Sequence, residues 1–199
     1  MRSHRTGIIL GMTALAIAVR VLPYVFARFG LLSVNDFSMS LLSVAPIGAM
    51  CLFGGARHSN RWIGVGIPAA AWFATNLLIG QIMSDLEFYS MFRDQGVVML
   101  GFLVTAALGA TIPEKAPVWR IAVTALVAEL AFFVLTNFGV WAMTNWYPHT
   151  AVGLVACYTA GLAFLGRGLV GMGVWGSLLF GVLAYVEKTV PSVSPSNSV

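Results

Sequence analysis

The sequence predicts an all-α, polytopic membrane protein, and three observations carry that expectation. Of the 199 residues, 59% are hydrophobic and only 9% charged, whereas soluble domains carry about a quarter charged residues. Mean hydropathy is +0.88. Apolar runs of the ~17–25 residues that cross about 30 Å of hydrocarbon as helix recur along almost the whole chain. What separates them is charge, proline and turn residues, so the chain reads as one integral membrane domain over 1–188.

Cutting at those signals gives spans near 8–27, 37–56, 62–83, 96–112, 118–143 and 168–186, with a shorter apolar piece at 151–165. The opening MRSHRTGIILGMTALAIAV has the basic start and apolar run of a signal peptide, but Arg20 and Pro23 stand where a small-residue cleavage site belongs. It reads as a retained first span. Within it Gly7, Gly11, Ala14 and Ala18 recur at intervals of three and four, a face on which helix backbones approach closely, inside a bundle or against another subunit. The fifth span ends in Trp141, Trp146 and Tyr147, aromatic residues of the kind enriched at membrane interfaces, and Pro148 stops it. The piece at 151–165 reaches only about 22 Å at 1.5 Å per residue, so it reads as a re-entrant or half helix. That gives six spans. A seventh would move the tail to the other side of the membrane. The tail, 189–199, is polar and lacks a hydrophobic core, the composition of a disordered segment.

Basic residues set the expected orientation. Arg2 and Arg5 precede the first span, Arg57 and Arg61 fall between the second and third, and Lys115 and Arg120 between the fourth and fifth. All three positions are cytoplasmic by the positive-inside rule. The loop holding Asp85, Glu87, Arg93 and Asp94, and the segment 145–150 with no Lys or Arg, then face outward. The net charge of +4 is thus a topology signal, and no nucleic-acid partner is expected.

Only Arg20 and Glu129 are ionisable and well inside predicted spans, where such residues normally face a partner or a wet cavity. They lie about 18 Å and 16 Å along their helices from the cytoplasmic ends, depths that allow an ion pair beside a central cavity. The alternative is that Arg20 snorkels outward and Glu129 is protonated. Glu129, Phe133, Thr136, Asn137, Val140 and Thr144 share one face of the fifth helix. The expected pocket residues are Arg20, Asn76, Glu129, Asn137, Trp141, Tyr147 and His149, with Asn35, Asp36 and Tyr158 as further candidates. Interhelical hydrogen bonding and interface anchoring are the plain alternatives for these side chains.

Cys51 and Cys157 lie in apolar segments and read as free, buried thiols. His149 has no partner at ligand spacing, so no metal site is expected. No catalytic or cofactor motif is present either.

Two resemblances follow from particular stretches. Ala14 and Ala18 match the Ala-xxx-Ala pattern in the first helix of the substrate-binding S components of energy-coupling factor (ECF) transporters. CYTAGLAFLGRGLVGMGVWGSLLFG resembles the passage into their last helix, with Ala163 where those proteins have proline before Phe164. The pieces RVLP (20–23), MCLFGGA (50–56), TNFGVWA (136–142) and YPHTAVGLVACY (147–158) resemble an uncharacterised family of small bacterial membrane proteins grouped near the S components. The resemblance implies a six-helix bundle in the bacterial inner membrane with a cytoplasmic N-terminus. It implies an outer cavity for a small nutrient, vitamin-like or metal-related, roofed by the loops after the first, third and fifth helices. It also implies a coupling subunit docked on Ala14 and Ala18, and an ATPase pair outside this chain. The expectation from another class is a structural or assembly subunit whose polar face binds a neighbouring protein helix.

Overall fold

A computed structural model of the chain describes residues 2–31, 46–58, 60–83 and 95–189. The described residues form six helices and no strand: α1 (Arg2–Arg28), α2 (Ile47–Arg57), α3 (Arg61–Met83), α4 (Gln95–Gly109), α5 (Val118–Met143) and α6 (Ala151–Thr189). The first part of the expected second span, the Asn35–Asp36 pair, the acidic loop at 84–94 and the tail from 190 lie outside the described residues.

Local chemistry accounts for where the helices begin and end. Asn60 starts α3: its side-chain oxygen accepts from the Trp62 N–H, and its carbonyl from Ile63 and Gly64. Pro117, in extended conformation, precedes α5, a place where a missing N–H costs nothing. Thr144 closes α5 with its N–H on the Val140 carbonyl. Thr150 opens α6 by accepting the Gly153 N–H on its hydroxyl.

The helices are arranged around α2. It packs against α3, α4 and α6, while α1 lies on α3, α4 on α5, and α5 on α6. Met50, Cys51, Leu52 and Phe53 on α2 are completely buried. Glycine lets the neighbours come this close. A Cβ on Gly54 would overlap the Gly64 carbonyl of α3, and one on Gly55 would overlap the Ala106 carbonyl of α4. Pro68 has no N–H to return to the Gly64 carbonyl one turn earlier, and that carbonyl is the atom nearest Gly54 at the crossing. Phe53 sets its ring edge against Phe180 of α6, with centroids 5.2 Å apart.

The expected half helix at 151–165 is not a separate element. Residues 151–189 form one unbroken helix of 39 residues. The segment 165–168 holds Gly166 and Gly168 but no proline, and interior glycine weakens a helix by about 1 kcal/mol without breaking it. Arg167 donates from Nε to the Ala163 carbonyl of the same helix at 3.3 Å, and its guanidinium lies over the Phe164 ring. At 1.5 Å per residue α6 measures about 58 Å, longer than the ~40–45 Å of a whole bilayer.

Four helices contain stretches long and apolar enough to cross a membrane: Leu10–Arg28, Trp62–Ile82, Val118–Met143 and Ala151–Thr189. Helices α2 and α4 are apolar but shorter. Large apolar side chains such as Phe26, Leu126, Val134, Phe138, Leu162 and Phe164 are exposed on the outer faces, as expected where hydrocarbon is the solvent.

Candidate functional site

The residues singled out in the sequence fall into three places. The first joins α1, α3 and α4. Arg20 donates from Nη2 to the Asn76 side-chain oxygen, and Asn76 donates from Nδ2 to Gln95 Oε1 at 3.1 Å. The Arg20 guanidinium also lies over the Trp72 ring, 5.3 Å from its centroid, an attraction of cation to ring face. Trp72 meets Phe102 edge-on at 5.5 Å, and Phe102 stacks on Phe132 at 5.2 Å. Asn76 itself is only 6% exposed.

The second lies between α5 and α6. Asn137 donates from Nδ2 to the Phe133 carbonyl at 2.8 Å, and its side-chain oxygen fills the space where a Gly161 Cβ would stand. Two turns earlier on α5, the Glu129 carboxylate fills the same kind of space at Gly168 and reaches toward Gly48 of α2. The helices are antiparallel, so residues eight apart on α5 meet glycines seven apart on α6. Cys157 Sγ donates to the Asn137 carbonyl and Tyr158 Oη to the Val134 carbonyl. Both thiols are free and buried.

The third is the corner between α5 and α6. Trp141 Nε1 donates to the Pro148 carbonyl at 3.0 Å, and the His149 ring stands edge-on to Trp141 with Nε2 at 3.1 Å from the Thr144 carbonyl. Tyr147 is half-buried beside it. These contacts close a turn on itself.

The expected Arg20–Glu129 ion pair is not formed. Arg20 turns to α3, the helix α1 packs on, whereas α5 packs on α4 and α6. Depth along two helices says nothing of whether they are neighbours. Glu129 has no hydrogen-bond or ion-pair partner among the described residues. No cluster of metal-ligating side chains occurs among them.

Arg57, read from the sequence as a loop charge, is 6% exposed in the last turn of α2. It donates from Nη1 to the carbonyls of Ala56 and Ile112 and lies over Phe180. This puts the end of α2 beside the turn at 110–117. Trp72, Gln95, Gly161 and Gly168 were also missed. The glycines left a signal, a seven-residue interval close to the eight between Glu129 and Asn137.

The Ala14 and Ala18 face behaves differently. Gly7, Gly11 and Ala14 are exposed and Ala18 half-buried, while Thr13 and Ala16 face inward. Among the described residues, nothing stands within 4 Å of the place a Cβ would take on Gly7 or Gly11.

Apolar helices of spanning length and outward-facing hydrophobic side chains define the class, an all-helical membrane protein. More particularly, the chain belongs to a family of unknown function, DUF6580, whose pattern matches residues 2–193. No curated protein and no solved structure matches the chain.

Proposed function

We propose that the protein is a membrane-embedded binding subunit for the uptake of a small nutrient, built like an S component and without an ATPase of its own. The observation that carries this reading is Glu129, an ionisable side chain deep in α5, turned inward between α2 and α6 and unpartnered among the described residues. A carboxylate at membrane depth is costly and normally serves a ligand or ion path. Asn137 on the same helix and the Arg20–Asn76–Gln95 chain across the bundle add polar groups that could line such a path. In this reading α2 and α4 belong to further spans, making six, and the α1 face of Ala14 and Ala18 docks on a coupling subunit that works with an ATPase pair. The Arg57 to Ile112 hydrogen bond supports one common, cytoplasmic side for the two basic turns. A cytoplasmic N-terminus and an inner-membrane location go with that orientation.

A second reading has one observation in its favour. The open face of Gly7, Gly11 and Ala14 also suits a structural subunit that packs on a neighbouring protein helix and carries no nutrient. The test is to purify the protein in lipid nanodiscs and identify co-purified small molecules by mass spectrometry. The expected result is one compound, reduced at least tenfold by Glu129→Gln and retained by Ala14→Leu, with Ala14→Leu losing the coupling subunit instead. No compound, together with Glu129→Gln and Asn137→Ala affecting only recovery of a protein complex, replaces uptake with assembly.

A further inference from the structure

We infer that the cluster of Arg20, Trp72, Asn76 and Gln95 is the anion-recognising end of the binding site, so that the nutrient carries a carboxylate or phosphate. The inference rests on the binding-subunit reading and narrows it.

Arginine stays protonated at any ordinary pH and offers several N–H donors in a planar fork. Here the guanidinium meets a neutral amide oxygen and the face of an indole ring. Both are dipolar or quadrupolar partners, and neither cancels the charge. The described residues hold three carboxylates: Glu114 in the turn after α4, Glu129 on α5 and Glu187 near the end of α6. None is on α1, α3 or α4, the helices that build the cluster. Arg20 is half-buried, a cation away from water without a counter-charge is expensive, and its described surroundings position it without neutralising it. Asn76 is held in place by Gln95, and Trp72 by Phe102. Such fixed support is what a binding group needs in order to meet an anion in one geometry.

The location suits entry from one side. Asn76 is about 22 Å along α3 from Arg61, at 1.5 Å per residue, and Gln95 is the first residue of α4. Helix α4 ends beside Arg57 at the other end of the bundle. The cluster therefore lies toward the end opposite the basic turns.

The test uses the full chain in phosphatidylcholine nanodiscs, titrated calorimetrically with benzoate and with inorganic phosphate, and with benzamide as the neutral analogue of benzoate. At least one anion should bind and benzamide should not, and Arg20→Gln should weaken the anion at least tenfold. Since Arg20→Gln can also damage folding, Asn76→Asp is the second variant. It supplies the missing carboxylate internally and should abolish anion binding while leaving the thermal unfolding midpoint unchanged or higher. Asp94→Asn tests a counter-charge from outside the described residues and should leave the affinity within twofold. Equal binding of benzoate and benzamide, undiminished binding in Asn76→Asp, or tenfold tighter binding in Asp94→Asn overturns the inference. Mass spectrometry of co-purified compounds separates the sources. An Arg20-dependent soluble carboxylate or phosphate supports a nutrient, and an Arg20-dependent anionic phospholipid supports the same chemistry on a lipid headgroup. A neutral or cationic compound overturns the anion while uptake stands. No compound and no response to either anion ends both.

Discussion

The contacts of α2 and the contacts between α5 and α6 both close through glycine, but the atoms that meet are of different kinds. Around α2, Gly54 faces the Gly64 carbonyl and Gly55 the Ala106 carbonyl, so backbone lies on backbone. Between α5 and α6, Gly161 faces the Asn137 side chain and Gly168 the Glu129 carboxylate. A backbone carbonyl inside a packed helix has nowhere to go, whereas a side chain can turn or be shortened. The first arrangement serves only the fold. The second keeps polar groups inside the bundle at the cost of an interface that fits only those groups.

The largest effect is expected at Gly54. Gly54→Val should cost about 3 kcal/mol or more, the upper range for overpacking, because its Cβ overlaps the Gly64 carbonyl and α3 cannot yield there. The measurement is recovery of monodisperse protein from detergent, which should fall below a tenth of wild type. Adding Gly64→Ala should make matters worse. Recovery close to wild type would mean that α2 and α3 are not in backbone contact.

Gly168→Ala should cost about 1–3 kcal/mol in mixed-micelle SDS unfolding, because its Cβ falls on the Glu129 carboxylate. Glu129→Ala in the same chain should restore most of the loss. A coupling of at least ~1 kcal/mol is expected for residues in contact. The rescue separates the two regions, since no second substitution relieves Gly54. Additive effects at 168 and 129 would instead mean that the carboxylate points elsewhere.

At the corner, Trp141→Phe removes the Nε1 donor to the Pro148 carbonyl and should cost about 1 kcal/mol, the net worth of one such hydrogen bond. Compounds bound by the protein should be retained at wild-type levels in this variant if the corner is only a turn. A parallel loss of bound compound would return Trp141 to the site.

The all-helical class was legible because composition and run length depend on the lipid solvent and not on tertiary detail. So was the shared face of Glu129 and Asn137, since helical period alone puts them together. What could not be read was which helices touch. Arg20 and Glu129 matched in depth and charge, yet they sit on helices that pack on other partners. Arg57 looked like a loop residue because it borders a turn, and its burial depends on the distant Ile112 carbonyl. The continuity of α6 was hidden by two glycines and a charge that usually mark a break. No described atom stands near Gly166, and Arg167 donates to a carbonyl of its own helix.

The smallest effect is expected where glycine touches no described residue, and its sign should reverse. Gly11 is exposed on α1, and no described atom lies within 4 Å of the place a Cβ would take, so Gly11→Ala adds no overlap there and removes backbone freedom from the unfolded chain. A gain of about 0.5–1 kcal/mol is expected, read as a raised thermal midpoint of the isolated protein. The same substitution thickens a face that is open in the isolated chain. If a partner helix covers that face, Gly11→Leu should leave the isolated protein folded and still displace the partner. An isolated chain destabilised by Gly11→Ala would mean that this glycine is buried in the protein alone, and the contrast with Gly54 would lose its third case.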